Sequence, residues 1–297
     1  MEEKVIFFSG LGYRLTGTLY IPKGHRDCGR RPAIVLCQGY AGTKEMFLPS
    51  VAERLMEAGF VILNFDYRGF GESEGPRYRL MPLEQVEDIR NAITYLETRP
   101  EVDERCLGLW GTSFGGANCI YAAALDTRVR CVISNLGIGN GERWLHYLRR
   151  EWEWREFIMR LVTDRRKRVT AGQSETVHPY DIMPGSPESW KFWNEMVKIY
   201  PERGRMMLPL ESAEKIIEFK PEEVVHKIAP RSVLFISAEE DVMTPTIEQI
   251  SMYQKAGEPK KLVIISGVDH HDIYNSAHFD QLMNLSTDWF NQHLCVK

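Results

Sequence analysis

The run Leu107-Gly108-Leu109-Trp110-Gly111-Thr112-Ser113-Phe114-Gly115-Gly116 constrains this chain more than any other stretch. An apolar segment ends in Gly-Thr-Ser-Phe-Gly-Gly, and the alanine-rich residues 117–124 behind it favour helix. A serine on a tight strand-to-helix turn holds a strained backbone, and a Cβ two residues before or after it would collide with the turn. Glycine at 111 and 115 removes those atoms. The turn projects the Ser113 hydroxyl outward and leaves unpaired N–H groups at the helix start, where an anion can be held. Ser113 is therefore the candidate nucleophile.

The flanking pattern places that turn in a fold. Apolar runs of buried-strand length occur at 33–37, 60–65, 106–110, 129–134, 232–237 and 261–265. Helical stretches at 48–58 (closed by Gly59), at 84–98 and after Ser113 alternate with them. Such alternation calls for an α/β fold, a mostly parallel sheet with helices on both faces. Residues 5–8 and 13–21, joined by Gly10-Leu11-Gly12, read as an N-terminal antiparallel hairpin. The rhythm stops near Gly137. Residues 142–162 read as one helix and 189–200 as another, both rich in aromatic side chains, with a turn-rich connector at 178–187. The expected organisation is a core of residues 1–137 and 230–297, interrupted by a helical lid over 138–229. Trp144, Trp152 and Trp193 read equally as pocket lining or as the lid's own core. The run Arg165-Arg166-Lys167-Arg168 reads as the solvent-facing end of a helix.

Composition narrows the function classes. With 37 basic against 41 acidic side chains, net −4, neither nucleic acid nor an anionic membrane is the expected partner. No apolar run is long enough to cross a bilayer, and the opening Met1-Glu2-Glu3-Lys4 lacks the basic start of a signal peptide, so a cytoplasmic location is expected. Cys37, Cys106, Cys119 and Cys131 lie in or beside apolar segments and read as free, packed thiols. No Cys-x-x-Cys pair occurs, so a disulfide framework and a zinc site are both unexpected, and a reducing compartment is inferred.

A serine hydroxyl needs a base within hydrogen-bond reach, itself oriented by a carboxylate. Two loops that follow late strands supply these groups, Glu239-Glu240-Asp241 and then Asp269-His270-His271-Asp272. The order is serine, acid, histidine. With these loops the chain resembles the α/β-hydrolase superfamily. Its residues 12–22 are similar to the entry of the dienelactone-hydrolase and prolyl-oligopeptidase-like branch, and Asp66-Tyr67-Arg68-Gly69-Phe70-Gly71-Glu72-Ser73 matches a common superfamily turn.

The resemblance implies a catalytic triad of Ser113, Asp241 and His270. Asp241 fits through Pro245 four residues later, and His270 through Gly267 before it and Tyr274 after it. Glu239, Glu240 and His271 stay as alternatives, and the Asp269–Asp272 cluster as a metal alternative. The resemblance also implies an oxyanion hole from the N–H groups of Phe114 and Tyr40, with the Tyr40 phenol as a further donor. Gln38 departs from a pattern in which histidine is common there. Asp66 and Arg68 read as a turn-stabilising pair. The expected enzyme is a serine hydrolase, carboxylesterase-like, cleaving a small ester through an acyl-enzyme with neither cofactor nor metal. The alternatives are a carbon–carbon hydrolase acting on a diketone or ring-degradation product, an acyl-CoA thioesterase, and a non-catalytic receptor. The expected partner is a small acyl substrate, and a homodimer is left open.

Overall fold

A computed structural model describes residues 1–23 and 29–295. The chain runs β1 (Glu2–Phe8), β2 (Arg14–Tyr20), β3 (Arg31–Cys37), α1 (Leu48–Glu57), β4 (Val61–Phe65), α2 (Pro82–Glu97), β5 (Val102–Thr112), α3 (Phe114–Leu125) and β6 (Val129–Asn135). Helices α4 (Gly141–Tyr147) and α5 (Glu151–Ala171) follow, then β7 (Thr176–Val177), α6 (Pro179–Ile182), α7 (Pro187–Ile199), β8 (Leu208–Pro209) and α8 (Glu211–Glu218). The core resumes with β9 (Ser232–Ala238), α9 (Ile247–Lys255), β10 (Lys260–Ile265) and α10 (Ser276–His293).

Eight strands form one sheet in the order β1-β2-β4-β3-β5-β6-β9-β10. The β1–β2 hairpin is antiparallel, as is its junction with β4; every later pairing is parallel. Strands β3, β4 and β9 are apolar along nearly their whole length because both faces are covered. One face packs α2 and α3 through Val86, Ile89, Ala117 and Ile120. The other packs α1 and α10 through Leu48, Val51, Leu55 and Phe290. Each such aliphatic side chain, fully buried, stabilises the fold by about 1.5–3 kcal/mol. Among the described residues, no helix is long and apolar enough to cross a membrane.

Several expectations need correction. The single helix expected over 142–162 is two. Leu148, Arg149 and Arg150 leave the helical path, and the Glu153 carboxylate accepts the Arg150 N–H at 2.7 Å, starting α5 afresh. Helix α5 then runs nine residues further than expected, to Ala171. The basic run faces water near the end of that helix, as expected, with one addition: Arg165 and Arg168 both bond the Glu214 carboxylate of α8, and Arg168 also bonds Asp164. Cys106 is not a free thiol. It is disulfide-bonded to Cys295, 189 residues away, because β5 and the end of α10 converge there. Cys37, Cys119 and Cys131 are free and buried. The disulfide removes part of the ground for expecting a reducing compartment.

Candidate active site

Strand β5 delivers the serine. Ser113 has φ 54° and ψ −125°, a left-handed conformation that costs a non-glycine residue on the order of 1–3 kcal/mol. Its N–H is held by Asn135 O at 2.8 Å, and its own carbonyl accepts from Gly116 at 2.9 Å, so both sides of the turn are tied. A Cβ on Gly111 would strike the Gly115 carbonyl, and one on Gly115 would strike the carbonyls of Cys37 and Gln38. Glycine at 115 thus lets α3 seat against the end of β3, a close approach that local sequence does not reveal. Phe114 is the first residue of α3, so its N–H has no helical carbonyl to bond.

Loops after β9 and β10 bring the acid and base together. Asp241 is 4% exposed. Its Oδ1 accepts the N–H groups of Met243 at 2.8 Å and Thr244 at 2.7 Å; its Oδ2 accepts the Thr244 hydroxyl at 2.7 Å. His270 Nδ1 stands 2.7 Å from the same Oδ2. That bond assigns the ring proton to Nδ1 and leaves Nε2 with its lone pair. Burial opposes charge on Asp241, but the imidazole and the hydrogen bonds outweigh it and hold the carboxyl below its ordinary pKa. Burial likewise opposes protonation of His270, and the adjacent Asp241 overcomes it, raising the imidazole above its ordinary value.

The alternatives lie elsewhere. Glu239 and Glu240 are exposed, and Glu239 accepts the Gly267 N–H. His271 turns its Nε2 to Ser189 Oγ on α7 at 3.1 Å, and burial with the neighbouring His270 lowers its pKa to about 4. Asp269 accepts the N–H groups of His271 and Asp272 as a turn cap. Among the described residues the one grouping with metal-ligand spacing is Glu45, Asp66 and Glu72, and the Lys44 ammonium bonds all three.

Ser113, Tyr40, His270 and Thr244 line one cavity of about 90 Å³. Its walls are mostly apolar: Met46 and Phe47 from the core, Met183, Phe192 and Trp193 from the segment between β6 and β9. Phe47 stacks between Phe192 and Tyr274 at 4.9 and 4.4 Å. Ser113 Oγ makes no hydrogen bond among the described residues; in a ligand-free site this link is commonly long.

The three tryptophans separate. Trp193 lines the cavity. Trp144 is fully buried below it, packed on Phe114 and Tyr40, with Nε1 donating to Met243 O at 2.7 Å. Trp152 is exposed on α5. The Tyr40 phenol donates to Pro179 O at 3.0 Å and so is not free to donate into the cavity as expected, whereas its N–H has no backbone partner among the described residues. Gln38 shapes the loop: its amide donates to Thr43 O and Met46 O and accepts the Gly39 N–H. Asp66 and Arg68 do not pair with each other. Asp66 holds Lys44 and the Glu72 N–H, while Arg68 forks onto the buried Asp88. Sequence reasoning missed Thr244, Tyr274 and Arg203 at this site. Thr244 left one signal, an Asp-x-x-Thr spacing suited to a side-chain-capped turn.

A serine at a strand-to-helix turn after β5 and an Asp–His pair after β9 and β10 follow the layout of the α/β-hydrolase fold. Residues 32–284 match the alpha/beta hydrolase fold family, and the chain belongs to it. It is similar to an uncharacterized 31.7 kDa protein of Escherichia coli from the traX–finO intergenic region, 34% identical over 93% of this chain and 95% of that one. It is also similar to the thiohydrolase aneE of Aspergillus aculeatus, 29% identical over 100% of this chain and 96% of the relative. The crystal structure of the α/β hydrolase GrgF from Penicillium superposes with a TM-score of 0.81 at 25% identity, covering 99% of both chains.

Proposed function

We propose that this chain is a serine acyl hydrolase that cleaves a carboxylic ester or thioester through an acyl-enzyme. Ser113 Oγ attacks the acyl carbonyl while His270 Nε2 takes its proton. Asp241 holds the resulting imidazolium, and the N–H groups of Phe114 and Tyr40 receive the negative oxygen. The tetrahedral adduct collapses, and His270 returns the proton to the departing alcohol or thiol. Water, deprotonated by the same nitrogen, then attacks the acyl-serine and releases the acid.

The observation that carries this reading is the buried Asp241–His270 pair opening on the same cavity as a serine held at positive φ. A resting turn gains nothing from that strain, whereas a nucleophile gains exposure and a pair of N–H donors. Thioesters enter because one relative is named a thiohydrolase and another, from Penicillium, a polyketide transferase. Acyl transfer to an alcohol uses the same acyl-enzyme, with the alcohol replacing water.

A fluorophosphonate probe tests it. Labelling mapped to Ser113, absent in Ser113→Ala, with turnover of esters or thioesters lost in the same variant, is the expected result. Labelling that survives in Ser113→Ala, or turnover that does, overturns the assignment.

A further inference from the structure

Among the described residues, Arg203 is the one charge lining the cavity that this chemistry does not use, and it pairs with no acid. It sits in the short 3-10 turn Pro201–Arg205, only 3% exposed, with its guanidinium 4.7 Å from the Trp193 ring centroid. Nη1 donates to Ala41 O at 3.2 Å and Met46 Sδ at 2.7 Å. Nε is buried without a partner, and Nη2 makes no hydrogen bond among the described residues.

Two other arginines, the buried Arg68 and the half-buried Arg149, show what a structural role looks like here. Arg68, equally buried, places Nε and Nη2 on the Asp88 carboxylate at 2.9 and 2.6 Å and reaches Glu87 as well. Arg149 gives its terminal nitrogens to three backbone carbonyls. Arg203 leaves both Nε and Nη2 without the carboxylate that Arg68 has, and of the two only Nη2 is not sealed from the cavity by protein. Burial pushes its guanidinium below the ordinary pKa, and Tyr180, Glu202 and Tyr78 offset this only from a distance. A charge withdrawn from water with a terminal nitrogen unmatched beside an acyl cavity has a defined complement, an anionic oxygen such as that of a carboxylate.

We propose that Arg203 is a specificity-determining residue that binds a carboxylate carried by the acyl substrate. This rests on the acyl-hydrolase reading of the cavity. The carboxylate bonds Nη2, Trp193 backs the guanidinium, and Nη1 stays anchored to Ala41 next to Tyr40. That anchor couples recognition of the distal charge to the loop that carries one oxyanion donor.

The test uses 4-nitrophenyl half-esters of succinate, glutarate and adipate, each against a neutral ester in which an isopropyl group replaces the carboxylate. The wild-type enzyme is expected to prefer at least one half-ester over its neutral isostere. Arg203→Gln is expected to lower kcat/KM for that half-ester by roughly 10- to 100-fold and for the isostere by less than about threefold. Arg203→Lys should recover part of the preference. An equal loss on both substrates would identify Arg203 as a brace for the Ala41 loop and overturn the proposal, as would no loss on either. Should Arg203→Gln fail to fold, wild-type preference for every neutral isostere does the same.

Binding separates this from the serine reading. In the Ser113→Ala protein, the 4-nitroanilide of the preferred half-acid should bind and quench tryptophan fluorescence. Adding Arg203→Gln should abolish that binding and spare the neutral anilide. Retained turnover in Ser113→Ala would refute the nucleophile while leaving the anilide comparison as the judge of Arg203.

Discussion

Asp241→Asn isolates what the buried carboxylate does, because the structure dictates how an amide would sit in its place. Oδ1 accepts two backbone N–H groups, from Met243 and Thr244. An asparagine that turned its NH₂ towards them would leave two buried donors unmatched, at about 1–3 kcal/mol each. The amide oxygen therefore keeps the Oδ1 position by about 2–6 kcal/mol. The NH₂ then occupies the Oδ2 position, 2.7 Å from His270 Nδ1 in the native side chain. An NH₂ there can only donate, so the imidazole must accept at Nδ1 and carry its proton on Nε2. A protonated Nε2 cannot take the serine proton. Loss of the base in this way costs roughly 10⁴-fold in kcat, or about 5.5 kcal/mol. The shape of the site is unchanged, so the thermal transition should stay cooperative. The assay is the rate of Ser113 phosphonylation alongside ester turnover at neutral pH. An Asn variant within tenfold of wild type would refute the claim that Asp241 sets the imidazole tautomer.

Three other outcomes follow from the same geometry. His270→Ala should cut turnover by roughly 10²–10⁴-fold, whereas His271→Ala, whose ring bonds Ser189 instead of an acid, should stay within about tenfold; the reverse ranking would reassign the base. The active form needs His270 neutral, and Asp241 raises its pKa, so the acid limb of kcat/KM should fall above the ordinary imidazole value of about 6.5. Replacing Asp241 with Ala removes the main opposition to burial and leaves only the weaker pull of Asp269, so in the residual activity that limb should move to lower pH; an unmoved limb would mean another group titrates. Gly115→Ala forces a methyl against the Cys37 and Gln38 carbonyls and should destabilise the fold by about 1–3 kcal/mol or more in urea titration; a neutral effect would refute the close packing of α3 on β3.

What could be read from the sequence divides by the range of the interaction. Strand and helix alternation, the hairpin and the turn around Ser113 are written in neighbouring residues, through apolar period and glycine placement. Loops at strand ends could be located because a parallel sheet gathers them on one edge whatever their contents. Contacts between distant segments left no such trace. Arg68 meets Asp88, 20 residues on, and Arg165 meets Glu214, 49 residues on, where charge composition offers many equal choices. The Cys106–Cys295 pair spans nearly two-thirds of the chain, so no local spacing could announce it. The break at Arg149 was missed because apolar residues continue at helical spacing through it, while the new start depends on one side-chain bond from Glu153. Arg203 was invisible for another reason. Its meaning lies in the partner it lacks, and a missing partner shows only when every neighbour has been placed.

The bonds around Ser113 show why the segments can be far apart in sequence and still hold one geometry. The Ser113 N–H is fixed to Asn135 O on β6, and the Leu136 N–H to Ile236 O on β9, so each strand end is tied to the next across the sheet. Asn135 Nδ2 bonds Thr112 Oγ1 at 3.0 Å, and Thr112 Oγ1 bonds the Tyr274 hydroxyl beyond the histidine loop. The serine turn is thus linked to the loop carrying His270 on one side and, through Gly115, seated on the Gln38–Gly42 loop on the other. A nucleophile that is uncoupled from its base until substrate arrives needs its backbone held by something other than that base. Here strand-end hydrogen bonds and glycine contacts supply the restraint, which in the proposed reaction leaves the Ser113 hydroxyl free to turn towards His270.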